Sequence, residues 1–161
     1  MQSVMYNMVK DHIVQHVQRT FKNGIDIAKS LRDLQKVDLL PDLPIRRAAA
    51  PAVDPTKPEQ LQEQKIVQDG YDIKYTAKLN KHLEREAILD KNMAKAYALI
   101  YSQYCNKTMQ NRIEEHPDFE MTIRDDPIEL LNNIKILMHD PIRARYPFVT
   151  VTEALTRLLN I

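Results

Sequence analysis

From Glu59 to about Tyr104 the chain contains no proline, yet five of its nine prolines stand just before that run, at Pro41, Pro44, Pro51, Pro55 and Pro58. Proline fixes its own φ, removes a backbone donor and biases the preceding residue away from helix. Residues 38–58 therefore read as an extended, partly polyproline-like connector. The proline-free run, rich in Gln, Lys, Glu and Ala, reads as one long charged helix. Unbroken, it would be about 65–70 Å long at 1.5 Å per residue, beyond the usual length in a compact domain. A bend or break is expected near Gly70 or around Leu89–Asn92. Ile66, Ile73, Ala77, Leu79 and Leu83 make a broken apolar stripe on it, and Leu89, Met93, Ala96, Tyr97 and Ile100 a stronger one. Leu39, Leu40, Leu43 and Ile45 are apolar enough to bring the connector against the body.

On the N-terminal side, Met5, Val9, Ile13, Val17 and Phe21 stand four apart with Met8 beside them, one helix face. Asn23-Gly24 favours a turn with positive φ. A second helix follows, with Ile27, Leu31 and Leu34 on its face, Ala28 alongside and Asp26 near its start. Residues 1–37 read as a helical hairpin. Beyond the long helix, Asn106 is placed to cap a short helix whose Met109 and Ile113 face inward, and Pro117 ends it. Asp126-Pro127 opens another, with Glu129 in the first turn and Ile128, Leu131, Ile134, Leu137 and Met138 behind. Pro141 closes it. Thr150 to Glu153 is a capping box before Val151, Ala154, Leu155, Leu158 and Leu159. The chain stops at Ile161 inside that last helix, with no closing cap, so continuation of the reading frame is expected. The expected architecture is all-α: a bundle of six or seven helices, divided as hairpin 1–37, connector 38–58 and helical domain 59–161.

The bulk numbers agree with that class. Two glycines and no tryptophan in 161 residues, with little β-branched clustering, favour helix over sheet. A hydrophobic share of 43% and a charged share of 28% suit a soluble globular chain. The net charge of +1 provides no strong field toward nucleic acid or membrane. No apolar run approaches bilayer length and no secretory signal is legible. Cys105 is the single cysteine, so neither an intrachain disulfide nor a zinc knuckle can form. A reducing, cytoplasmic setting is expected.

Residues that carry chemistry elsewhere have plainer readings here. His12 and His16 share a helix face at metal-binding spacing, but Ile-Val-Gln lies between them and no third ligand is signalled, so a surface pair is the simpler account. Cys105 ends an apolar helix and reads as a structural thiol rather than a nucleophile served by His82, His116 or His139. Asp125-Asp126 reads as helix capping before it reads as a metal site. Two glycines leave no phosphate-cradling loop. Tyr97, Tyr101 and Tyr104 form a ladder that reads as core or interface more readily than as a base-stacking platform. Arg143, Arg145 and Tyr146 make a small basic-aromatic patch, the weak candidate for nucleic-acid contact, and Arg46-Arg47 is a weaker one. No cofactor and no small-molecule substrate is indicated.

The order of segments resembles the Gag-like capsid region of copia-type LTR retrotransposons of the protist and algal kind. The resemblance rests on Val17 to Ile27, on the connector, on Tyr71 to Glu86, and on Leu89 to Met93. It continues through Tyr97 to Cys105, Met109 to Ile113, the helix from Asp126 to Lys135, the Tyr146-Pro147 step and the last helix, Val151 to Leu159. It spans nearly the whole chain and rests on segment order and wording, not on catalytic residues. It implies a helical capsid-like protein without enzymatic activity that self-associates and encloses element RNA. The chain departs from that family in lacking further helices, a basic region and the Cys-Cys-His-Cys knuckle that grips RNA. The resemblance thus implies a capsid region truncated at its C-terminus.

Three function classes follow. The first is a Gag-like structural protein, a homo-oligomer joined through apolar faces, with Leu89, Met93, Tyr97 and Ile100 on the long helix and Val151, Leu155 and Leu158 on the last as candidate contacts. The second is a helical nucleic-acid-binding or protein-interaction module, for which near-neutral charge is unfavourable. The third is a small enzyme using Cys105 or the His12/His16 pair.

Overall fold

The computed structural model describes residues 2–45 and 50–139. These are all-α, with no strand among them. The helices are α1 (Gln2–Thr20), α2 (Gly24–Asp33), α3 (Pro58–Leu99), α4 (Lys107–Glu114) and α5 (Pro127–His139). A 3-10 turn spans Leu40–Asp42, and π turns span Ile100–Tyr104 and Phe119–Ile123. The chain divides into two compact units, one from Met1–Val37 with Ile88–Ile161, the other from Asp38–Ala87. The helix expected over Val151–Leu159 lies outside the described residues.

In the first unit, α1 and α2 form the expected hairpin. Asn23 takes the left-handed conformation at φ 50°, which Asn tolerates better than most residues. Gly24 is required for closeness rather than for φ: a Cβ there would stand 2.4 Å from the Val17 carbonyl oxygen and 2.7 Å from that of Gln18. Leu34, left-handed at φ 52°, ends α2 with its N–H on the Ser30 carbonyl, and the Gln35 N–H donates to the same oxygen at 3.1 Å. That is a helix stop usually made by glycine. Ser30, fully buried, donates to the Asp26 carbonyl at 2.8 Å and accepts from the Val37 N–H at 3.0 Å.

The buried side of α1 is turned from the expected one. Tyr6, Ile13, Val14 and Val17 are buried, Met5, Val9 and Phe21 only half-buried, and Met8 exposed. The polar-tipped Tyr6 defines that side, because its hydroxyl donates to the Leu131 carbonyl at 3.2 Å. α5 is the centre of the unit, packing on α1, α2, α4 and the Phe119–Ile123 turn. It buries Ile128, Leu130, Leu131, Ile134 and Met138 along one broad side and leaves Glu129, Lys135 and Ile136 exposed on the other. Asp126 caps it as expected, accepting from the Ile128 and Glu129 N–H groups at 2.8 and 3.2 Å, with Pro127 at its first position. Asn106 caps α4 through the Met109 N–H at 2.7 Å, and Met109 and Ile113 are buried.

α3 has no break at Gly70 or at Leu89–Asn92; it is continuous α-helix from Pro58 to Leu99. Gly70 costs helix propensity but removes no backbone hydrogen bond. The irregularity comes later, in the Ile100–Tyr104 π turn. There the Gln110 side chain donates to the Tyr101 carbonyl at 2.8 Å, satisfying one of the acceptors that a helix end leaves open.

In the second unit the chain before α3 is not featureless. Leu39 and Ala50 are buried, while Leu40, Leu43 and Ile45 are exposed. The Ala50 N–H donates to Gln68 Oε1 at 2.9 Å, Gln64 Nε2 donates to the Pro51 carbonyl at 2.8 Å, and Arg85 pairs with Asp42 at 2.7 Å. Polar side chains of α3 thus hold an apolar but mostly exposed segment. Asp54 accepts from the Thr56 hydroxyl and N–H just before α3, and these bonds hold its carboxyl below the usual range.

Candidate association surfaces

The strong stripe of α3 is interior. Leu89, Tyr97 and Ile100 are buried and Met93 is half-buried, so three of these four expected contacts are core of the first unit and Met93 lies at its edge, leaving no open face. The reason is energetic. The most continuous apolar row on a helix is the one whose burial gains most on folding, so it is consumed first. Val151, Leu155 and Leu158, the other expected contacts, lie outside the described residues. So do Arg143, Arg145, Tyr146 and Arg46-Arg47.

The tyrosine ladder is a joint. The Tyr97 and Tyr101 rings stack on each other at 5.7 Å and 12°, and the Tyr101 hydroxyl donates to the Glu114 carboxylate, tying the π turn to α4. Tyr104 is buried, and its hydroxyl has no partner among the described residues. Burial raises all three phenols, and for Tyr101 the hydrogen bond to Glu114 adds to it. With Tyr97 and Tyr101 stacked on each other, the ladder offers no row of open ring faces to bases.

The remaining candidates are equally placed. Cys105 is buried, and desolvation pushes its thiol up to about 12, leaving almost no thiolate near neutral pH. His12 and His16 are half-buried on α1. Among the described residues no three His, Cys, Asp or Glu side chains are grouped to hold a metal ion. Asp125 is left-handed at φ 65° and Asp126 is engaged in capping α5. His82 is buried, with Nε2 3.5 Å from Glu86 Oε1, too far for a good hydrogen bond.

Part of the weaker stripe stands open, as do single apolar residues such as Ile25, Met121 and Ile136. Ile66 and Ile73 are 65% and 70% exposed, and Ala77 is exposed. A Cβ added to Gly70 would meet nothing within 4 Å. At 100° per residue, Ile66, Gly70, Ile73 and Ala77 fall in one narrow row. The preceding chain is held on the opposite side of the same helix, through Gln64 and Gln68, and Pro44, Ile45, Tyr71, Lys74, Tyr75 and Lys78 line a shallow cleft there. The sequence places Ile66, Ile73 and Ala77 in one broken stripe with Leu79 and Leu83, whereas Leu79 is half-buried and Gly70 belongs to the open row. The brevity of that row is the useful signal, since a row too short to anchor a core can be left outside.

Comparison with models of known protein families, with curated proteins and with solved structures finds no match. Among the described residues no helix is long and apolar enough to cross a membrane.

Proposed function

We propose that the chain is a non-enzymatic, Gag-like structural protein that self-associates in the cytoplasm to enclose the RNA of a retrotransposon. The observation that carries this reading is the uncovered row Ile66, Gly70, Ile73 and Ala77 on α3. Apolar side chains left in water at helical spacing gain free energy by meeting a second apolar surface. The order of segments supports the capsid part of the reading, as does the long charged helix beside a proline-rich segment. The buried, protonated Cys105 is suited to packing, not to nucleophilic attack.

The experiment is to produce the full chain together with a long RNA, image the product by electron microscopy and treat it with nuclease. The expected result is particles whose RNA outlasts free RNA. Absence of particles, with RNA cut at the free rate, contradicts the reading. A second reading, a nucleic-acid-binding module, is favoured by the cleft in which Tyr71 and Tyr75 stand beside Lys74 and Lys78. It predicts RNA affinity that falls steeply with salt in the absence of any assembly.

A further inference from the structure

Ile66, Gly70, Ile73 and Ala77 follow one another at intervals of four, three and four residues. That is the spacing of a coiled-coil seam, with the large residues at one seam position and the small ones at the other. The row is bounded by Glu63 and Glu84, the seam positions next in line toward the N-terminus and, after Asn80, toward the C-terminus. Its length is therefore set by the chain to about three turns. Asp69 and Lys74 flank it on opposite sides. Both are exposed, and among the described residues neither is paired.

These flanking charges choose the occupant. In a parallel, in-register pair of helices, the residue just before one seam position lies beside the residue five further along on the other helix, at the opposite flank. Asp69 of each copy then meets Lys74 of the other, twice across the two-fold axis. In an antiparallel pair each flank meets its own kind instead, so Lys74 falls beside Val67, and Asp69 beside Thr76. Identical helices in parallel also bring the two Gly70 together and the two Ile73 together. The backbones can approach at Gly70, and the isoleucines fill the layers on either side.

We infer that residues 66–77 of α3 form a parallel, in-register contact with a second copy of this chain, with Ile66 and Ile73 as its apolar layers and Asp69–Lys74 pairs at its edges. The inference deepens the self-association reading by naming its surface and direction. A three-turn seam is short, so the contact is weak and concentration-dependent.

The test uses three sets of substitutions in the full chain. First, Ile66→Glu with Ile73→Glu weakens dimerisation at least about tenfold by sedimentation while the far-ultraviolet helix signal is unchanged, because both residues are exposed. Second, Asp69→Lys alone and Lys74→Asp alone each weaken the dimer, and the two together restore it. Third, Ala77→Cys, oxidised in dilute solution, yields a disulfide-linked dimer, since in the parallel pair the two positions face each other and the native Cys105 is buried. Dimers that survive the double glutamate substitution, or that fail to cross-link through position 77, overturn the inference and leave self-association standing. A wild-type chain that stays monomeric at every concentration overturns both. Dimers that behave as expected but form no RNA-containing particles uphold this surface and remove the capsid role.

Discussion

A β-carbon at Gly24 has nowhere to go except into the Val17 and Gln18 carbonyl oxygens, so Gly24→Ala forces α2 away from the end of α1. The expected cost is about 2–3 kcal/mol, read as a drop in denaturant midpoint; an unchanged midpoint contradicts the close approach. Asn92, buried, donates to the Lys22 carbonyl at 2.7 Å and ties α3 to the same corner, so Asn92→Ala and Gly24→Ala should not be additive. The buried acids set the alkaline limit of the fold. Burial raises the Cys105 thiol from 9.0 to about 12 and the Tyr6 phenol from 10.0 to about 12. Between those values the unfolded chain has released protons that the folded chain retains, so stability falls as pH rises from about 9 to 12. Denaturant titrations at pH 8 and pH 10.5 should show the loss, and a flat profile would contradict the burial of both groups. Thiol reagents at pH 8 should label Cys105 only after unfolding.

Gly70 shows what an element can tolerate. It lies inside continuous α3 with open space where a Cβ would be, so in the dilute, monomeric chain Gly70→Ala should stabilise the helix by about 1 kcal/mol. Melting at a concentration below dimerisation reads the change, and a lower melting temperature there would contradict the open space around Gly70. Helix ends were the most legible part of this chain. Asn106, Asp126 with Pro127, and Asn23-Gly24 mark their boundaries through local chemistry, and the structure uses each of them. Faces were less legible. Tyr6 and Leu130 are buried by partners that no local pattern reveals, and the buried side of α1 was shifted from its most regular apolar row. The expected break in α3 rested on typical helix lengths, a statistical argument that local propensity overrode. A strong stripe likewise does not say whether it serves core or contact: Leu89, Tyr97 and Ile100 are buried in the first unit.

For the molecule as a whole, what separates a capsid-like protein from an inert helical bundle is the apolar surface remaining once each unit has closed. In this chain α5 supplies the centre of one unit, and the row on α3 is the apolar surface at regular helical spacing that the other leaves exposed, beside single exposed residues such as Leu40 and Ile45. Association through that row should depend on concentration, and raising salt should weaken it only modestly, because two exposed Asp69–Lys74 pairs contribute little. A steep salt dependence would instead mark charge, not apolar contact, as the driving force. Self-association is read by sedimentation equilibrium of the unmodified full chain across a wide concentration range, beside the Ile73→Glu form. The account predicts a wild-type mass that climbs from monomer toward dimer and beyond, and a variant that remains monomeric. A wild-type mass fixed at one monomer throughout would contradict it.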